Sequence, residues 1–463
     1  MSINAKFRFC QTKPRVFVIS DISNEPDDAE SLVRYLLYSN EFDTKGIVAC
    51  TSTHMRTRVC PEDMVTIVKA YGQVVHNLNA HVHPDNQYPE PTSLLELITT
   101  GPPVYGMNSL SADCPLSEGA RRLGGANVLA QAVQYIHQTE SLEQSSSLRS
   151  RLRVYAISDQ DDCGVWIRTA YPDIFYICSL HGWNQYSLAA WGGISGIMDG
   201  QGPDHSKFTR EWLRRNIQIG PLGQAYPDPR FLVEGDTPTF LYLIQNGLGS
   251  PEHPEWGSWG GRYISPNLGS TMYASNHATI WRWRDAFQND FAARVQWALT
   301  GNPREANHVP VVTVNGSTGA EPLLLEVEAG DVVHLDASAT YDPDGDSLSF
   351  SWFQYREPTI NSTGLTGQQV RDIEIQNTDA SQPGRKVKLQ MPPPEWCAID
   401  FLSGKPLESG QTLHFVLTVK DNGTPSMVTY KRVVIQIVNS QLRGGRDKQV
   451  ATVADWLELE GFL

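Results

Sequence analysis

The stretch that most limits how this chain can fold is Arg15–Tyr38, RVFVISDISNEPDDAESLVRYLLY. Val16 to Ile19 is a short apolar run, the pattern of a strand buried on both faces of a parallel sheet. Asp21, Asn24, Glu25, Asp27 and Asp28 follow, four carboxylates and an amide within eight positions. Pro26 stands where a proline can open a helix. Beyond it, Ala29, Leu32, Val33, Leu36 and Leu37 repeat at i, i+3, i+4, i+7 and i+8, one stripe of an α-helix. The acids therefore occupy the turn at the carboxyl end of a buried strand, where open α/β sheets bind ligands. Helix capping accounts for one or two acids. Four at one sheet edge repel one another unless a cation or a polyol shares them.

The same strand, turn and helix pattern recurs. Gly46 to Cys50 reads as a strand, and a helix follows from Pro61 with Met64, Val65, Val68, Tyr71, Val74 and Val75 on its apolar side. His81 to Cys114 is rich in Pro, Gly, Asn and Ser and reads mostly as loop, with a short helix near Leu94 to Ile98. Val128 to His137 is a helix. Thr139 to Ser150 reads as a polar linker. Leu152 to Ile157 is a strand that delivers a second acidic turn, Ser158-Asp159-Gln160-Asp161-Asp162. A helix through Val165 to Ile167 precedes a strand at Ile174 to Cys178, which ends at His181-Gly182-Trp183-Asn184. Asp236 precedes a short helix at Phe240 to Ile244, and Asp285 to Leu299 reads as an amphipathic helix. The expected fold class is α/β, a doubly wound and mostly parallel sheet.

From Val309 the texture becomes β. Short alternating runs separated by DPDGD and DNGTP describe an antiparallel β-sandwich of immunoglobulin type. The expected domains are residues 1–303 and 308–442, with a tail at 443–463. Asp342, Asp344 and Asp346 have the spacing of a calcium loop but lack its later acid, so the turn reading is favoured. In the Gly- and Pro-rich stretch Asn246–Tyr263, Trp256 and Trp259 can stack on a sugar face or pin the loop to the body. Pinning is the commoner use.

The 463 residues carry a formal net charge of −14. That charge argues against nucleic acid as partner. No run of about 18 apolar residues suggests a membrane span. The seven cysteines form no CxxC pair, so neither zinc nor a disulfide framework is indicated. The N-terminal MSINAKFRFCQTKPRV lacks the apolar core of a secretory signal.

The motif SDISNEPDDAESLVRYLLYSNEF resembles the nucleoside hydrolase-like proteins of fungi and bacteria that are labelled cellulose-binding. It also resembles, in part, the D-x-D-P-G-x-D-D-A motif of true nucleoside hydrolases, with Ser23 where their second Asp falls. The resemblance runs over most of the chain, including the β-rich C-terminal part, and suggests secreted members. It implies a hydrolase of N-glycosyl or related glycosyl bonds that uses Ca²⁺. By position, Asp28 and Asp236 match metal ligands and Asp27 matches the acid that holds a sugar hydroxyl. Asp21 is the candidate for water activation, with Glu25 competing. Asn24, Glu25, Asn127 and Asn184 are carried over as substrate-binding residues. The implied partner is a small glycoside or cell-wall carbohydrate.

The resemblance also exposes departures. Gly235 stands where nucleoside hydrolases commonly place a His. Ser117 to Leu123 is no strand, although the family places a helix and then a strand ending W-G-G-A-N before the turn at Gly124-Gly125-Ala126-Asn127. A helix and strand are missing there, which leaves neighbouring strands unpaired unless the sheet closes. The other class of function is a non-catalytic polysaccharide-binding protein with a relic cleft.

Overall fold

The computed structural model describes residues 3–123, 126–159, 161–179, 186–197, 203–263, 276–359, 370–399 and 406–440, with only the backbone of residues 3, 4, 122, 123, 126, 127 and 186. The chain forms two compact units. One comprises Met1–Ile244, Trp259–Gly261 and Ser275–Ala306, the other Gln245–Ser258, Arg262–Ala274 and Asn307–Leu463.

The first unit alternates strands β1 (Arg15–Ser20), β2 (Asp43–Ala49), β3 (Ile98–Thr100), β4 (Arg153–Ala156) and β5 (Phe175–Cys178) with helices. These helices are α1 (Pro26–Leu37), α2 (Pro61–Gly72), α3 (Val75–Ala80), α4 (Pro91–Glu96), α5 (Glu118–Leu123), α6 (Ala126–Thr139), α7 (Leu142–Arg149) and α8 (Cys163–Ala170). Next come α9 (Arg210–Asn216), α10 (Gly220–Gly223), α11 (Pro238–Leu241), α12 (Ala278–Trp281) and α13 (Arg284–Leu299). Every strand pair here is parallel, as the doubly wound reading requires.

The pairing places the acidic turn. β1 runs beside β2 from Arg15 opposite Asp43 to Ser20 opposite Ala49. The Cys50 amide then donates to the Ser20 carbonyl at 2.9 Å. Both strands thus end level, and their next residues meet at one rim. β3 continues the sheet, with Ile47 opposite Ile98. This third strand falls in the stretch expected to be loop; three residues are too few to show a period.

Among the described residues, one sheet has the order β1-β2-β3 and a separate sheet contains β4 and β5. β1 is half-buried along its apolar run, whereas Ile47, Val48 and Ala49 of β2 are fully buried. α5 occupies the residues expected not to form a strand. α6 serves both sheets: Val128 and Ala132 pack with Val48 and Ala120, while Leu129, Ala130 and Val133 pack with Cys163 and Ile167 of α8.

Other expectations are corrected. The polar linker holds α7, because Ser141 and Gln144 form a capping box at its start. α1 and α13 are buried on more than one stripe, so their polar residues are paired inside. Asp290 accepts from Tyr38 at 2.6 Å and from Arg294 at 2.9 Å, and Arg294 also reaches Glu41 at 2.6 Å. Leu32, Val33, Leu36 and Leu37 anchor α1; each such buried side chain contributes about 1.5–3 kcal/mol. Leu36→Ala is the single change that most directly loosens this helix, at a cost of about 2–5 kcal/mol.

The second unit is a β-sandwich. β6 (Thr313–Val314) and β7 (Ser317–Thr318) form a small hairpin. One main sheet has β8 (Leu323–Glu328), β10 (Ser349–Gln354), β13 (Ser409–Lys420) and β14 (Val428–Val438); the other has β9 (Val332–Asp336), β11 (Ile375–Asn377) and β12 (Lys386–Gln390). α14 (Pro394–Cys397) is a short turn of helix. Alternation buries Val333, Leu335, Val387 and Leu389 against Leu413, Phe415, Leu417, Val433 and Ile435. One pair departs from the antiparallel expectation: β8 runs parallel to β14, with Leu323 opposite Val433.

In the DPDGD segment, Asp342 Oδ1 accepts the amides of Asp344 and Asp346 at 2.9 and 3.0 Å, and Asp344 accepts from the His308 amide at 2.8 Å. These are turn roles. The loop 245–258 is stitched to β14: Tyr430 donates to the Asn246 carbonyl at 2.8 Å, and Arg432 donates to those of Leu248 and Trp256 at 2.6 and 2.9 Å. Gly247 adopts φ 84° there, and a Cβ would lie 2.1 Å from the Tyr430 carbonyl oxygen. Trp256 stacks on His253 at 4.0 Å, and in the first unit Trp259 is 1% exposed against Phe287. Trp259 therefore pins its loop and offers no sugar-stacking face. The seven cysteines are free. Among the described residues, no helix is long and apolar enough to cross a membrane. The tail at 443–463 lies outside the described residues.

Candidate functional site

The acids of the first turn are not used up in capping. Glu25 is the N-cap residue of α1 and makes no side-chain cap bond. Asp27 and Asp28 follow Pro26 in the first helical turn. Asp236 comes from the turn before α11. One carboxylate oxygen of each of Asp27, Asp28 and Asp236 lies within 4.8 Å of the others. Residues about two hundred positions apart are thus brought to one point.

This arrangement is electrostatically costly by itself. Burial, then Glu25, push the Asp27 carboxyl up to about 6. Burial, then Asp236 and Asp21, push Asp28 well above its ordinary value. Burial, then Asp27 and Asp21, do the same to Asp236. Ser20 supplies partial compensation, donating to Asp28 Oδ1 at 2.5 Å. A positive charge among the three would relieve all of them.

Asp21 faces the same cluster. Its Oδ2 is buried without a hydrogen-bond partner. Its backbone carbonyl accepts from the Asn24 amide at 3.1 Å, which closes the turn. Ser23, between them, has φ 78° and donates its hydroxyl to Asp63. Asn24 is half-buried and Glu25 exposed. The side chain of Asn127, and both Asn184 and His181, lie outside the described residues.

The second acidic turn forms its own group, in which Asp161, Asp162 and Cys163 bring ligand atoms within 4.8 Å of one another. The buried Cys50 thiol is pushed well up by burial, then by Asp21, Asp28, Asp161 and Asp236. Asp161 therefore shares that environment, although its Oδ1 also accepts the Cys163 amide at 2.8 Å. Asp159 is paired with Arg168, and Asp162 Oδ1 accepts the Met107 amide at 2.8 Å. These two do structural work. His205 and His253 are likewise engaged, with the Gly196 carbonyl at 3.1 Å and with Glu255 at 2.8 Å.

A buried shell behind the acids escaped the sequence reading. Glu30 Oε2 accepts the Glu234 amide at 2.8 Å, and Arg34 Nη1 donates to Glu234 Oε2 at 2.7 Å. Tyr226 donates to Glu234 Oε1 at 2.9 Å. The only available signal was two charged residues, Glu30 and Arg34, on a helix that is otherwise rich in apolar residues.

The donor set is three carboxylates, with further carboxylate and hydroxyl oxygens beside it. Hard oxygens of this kind fit Ca²⁺ or Mg²⁺ rather than a thiophilic metal. The orphaned Asp21 Oδ2 is an acceptor left for a water or a sugar hydroxyl.

The family model described as "Cellulose-binding Sde182, nucleoside hydrolase-like domain" matches residues 15–123 and 121–263. The two matched segments overlap at residues 121–123. The model described as "Cellulose-binding protein Sde0182, C-terminal domain" matches residues 332–437. No curated protein matches the chain. Among solved structures, a nucleoside hydrolase-related protein of Saccharophagus degradans, described as associated with carbohydrate metabolism, is 30% identical. That likeness covers 92% of this chain and 100% of the other, with a TM-score of 0.73. Human CDH23 EC21–23 matches at 15% identity over 28% of this chain and 33% of its own, with a TM-score of 0.17, too slight to carry an argument. On the extent of these matches, the chain belongs to the Sde182 cellulose-binding family, with a nucleoside hydrolase-like domain followed by the family's C-terminal domain.

Proposed function

We propose that the first unit hydrolyses an N-glycosyl or related glycosyl bond of a carbohydrate ligand. The observation that carries this reading is the convergence of Asp27, Asp28 and Asp236, with Asp21 beside them. Asp28, Asp236 and Asp27 would hold a divalent cation such as Ca²⁺, which supplies a positive charge that gathers sugar hydroxyls and a water.

The side chains account for the rest. Asp21 Oδ2 accepts a proton from the water as its oxygen bonds to the anomeric carbon. The bond to the leaving group breaks with its electron pair, and the ring takes on oxocarbenium character. Carboxylates on the cation-bearing face stabilise that developing charge. Asn24 and Glu25, at the rim of the same turn, orient hydroxyls. The leaving group takes up a proton as it departs; among the described residues, His205 and His253 are engaged elsewhere.

The second reading is carbohydrate binding without turnover. The family's cellulose-binding description favours it. Screening nucleosides and plant cell-wall oligosaccharides with and without a chelator decides between them. Chelator-sensitive sugar release that Asp21→Asn abolishes supports hydrolysis. Binding of oligosaccharide with no release at any substrate supports the second reading and excludes the first.

A further inference from the structure

Only three non-glycine residues among those described have left-handed backbone: Ser23 at φ 78°, Glu234 at φ 55° and Asn315 at φ 48°. Two of these lie in the turns that deliver the clustered acids. Ser23 precedes Asp27 and Asp28, and Glu234 stands two residues before Asp236. Such a conformation is unfavourable for a residue with a Cβ and persists only where surrounding contacts impose it.

The contacts that impose it on Glu234 come largely from α1. Its side chain is fully buried and receives Arg34 Nη1 at 2.7 Å and the Tyr226 hydroxyl at 2.9 Å. Its amide donates to Glu30 Oε2 at 2.8 Å. Thr237 Oγ1 donates to Ser31 Oγ at 3.0 Å. Arg34 is fixed in turn, donating to Gln288 Oε1 at 2.8 Å and to the Phe287 carbonyl at 2.6 Å, with its guanidinium 4.5 Å from the Phe291 ring centroid. One helix therefore carries Asp27 and Asp28 in its first turn. Its next two turns carry the three side chains that grip the segment bearing the third acid.

We propose that Glu234, gripped by Arg34, is a positioning residue for Asp236: the pair sets how far the third carboxylate reaches toward Asp27 and Asp28. Both Glu234 carboxylate oxygens are taken up by Arg34 and Tyr226, so the residue acts through the backbone. It dictates a backbone that an unanchored segment would leave, and Asp236 moves with that backbone. The proposal rests on reading the three acids as a cation site.

Equilibrium dialysis of the full chain with radiolabelled Ca²⁺ tests it, each variant being measured well below its own melting temperature so that only folded protein is scored. The unsubstituted chain binds, and Asp236→Asn abolishes binding. Glu234→Gly, which suits left-handed backbone but removes the anchor, weakens binding about tenfold or more. Glu234→Asp, charged but one methylene shorter, falls between. Thr237→Val, a milder variant that removes only the hydroxyl contact to Ser31, weakens binding about threefold if Glu234→Gly does not fold. If the folded Glu234 and Thr237 variants lose thermal stability yet bind Ca²⁺ as tightly as the parent, the positioning role is overturned. The cation site then stands, because Asp236→Asn still abolishes binding. No binding by the unsubstituted chain overturns both.

Discussion

A Cβ at Gly235 would lie 2.7 Å from Oδ2 of Asp27. The glycine is what admits that carboxylate to the cluster. Any side chain at 235 displaces it, and bulk makes the displacement worse. Gly235→Ala is expected to weaken cation binding by about tenfold, near 1.4 kcal/mol, and Gly235→Val by more. Calorimetric titration of the two variants checks the order; equal affinities for parent and valine variant would contradict it.

The acid cluster makes a signed prediction about pH. Asp27 is raised from 3.8 to about 6 by burial and Glu25, so the folded chain holds its proton more tightly than the unfolded one. At low pH, where both states are protonated, the group has no effect. As pH rises from about 4 through about 6 it ionises in place, and the cation-free protein loses stability, by at most about 3 kcal/mol. A bound cation reverses this above about pH 6. Urea midpoints from acid to neutral pH, with and without Ca²⁺, should converge at the acid end and diverge at the neutral end.

The strand order predicts uneven protection. β2 is flanked by β1 and β3, whereas β1 has no partner on its other side among the described residues. Among the described residues its outward amides have no strand ladder to slow exchange. Hydrogen exchange read by mass spectrometry should show peptides of Arg15–Ser20 exchanging about tenfold faster than those of Ile47–Ala49. Equal protection would mean that something covers the β1 edge.

In the second unit, Arg432 is the strongest single tie of the loop 245–258. It donates to the carbonyls of Leu248, Trp256 and Gly257. Arg432→Met leaves buried acceptors unpaired and should cost about 3 kcal/mol. Trp256 emission should move to longer wavelength as its ring loses the packing against His253. An unchanged unfolding midpoint would contradict this assignment.

The parts of the fold that were legible in the sequence had a period or a run to read. The stripe of α1 and the alternation of β9 and β12 each encode burial directly, whereas the apolar run of β1 marked a strand that is half-buried and not enclosed on both faces. β3 was too short to show one, and α7 had only its Ser141–Gln144 cap, inside a segment polar enough to pass for a linker. The acids themselves were legible because four carboxylates in one turn demand an explanation. What supports them was not. Glu30 and Arg34 stand four apart, the spacing of an ordinary surface pair, yet each reaches Glu234 two hundred or more positions away. Only the folded chain shows which charges are buried, since burial depends on what another element lays over them.

The most direct measurement is a calorimetric titration of the full chain with Ca²⁺, beside Asp28→Ala, at neutral pH. Saturable binding with one cation per chain, lost in the variant, is the predicted result. A parent protein that takes up no Ca²⁺ or Mg²⁺, or one whose uptake is indifferent to Asp28→Ala, would contradict the reading of Asp27, Asp28 and Asp236 as a shared cation site.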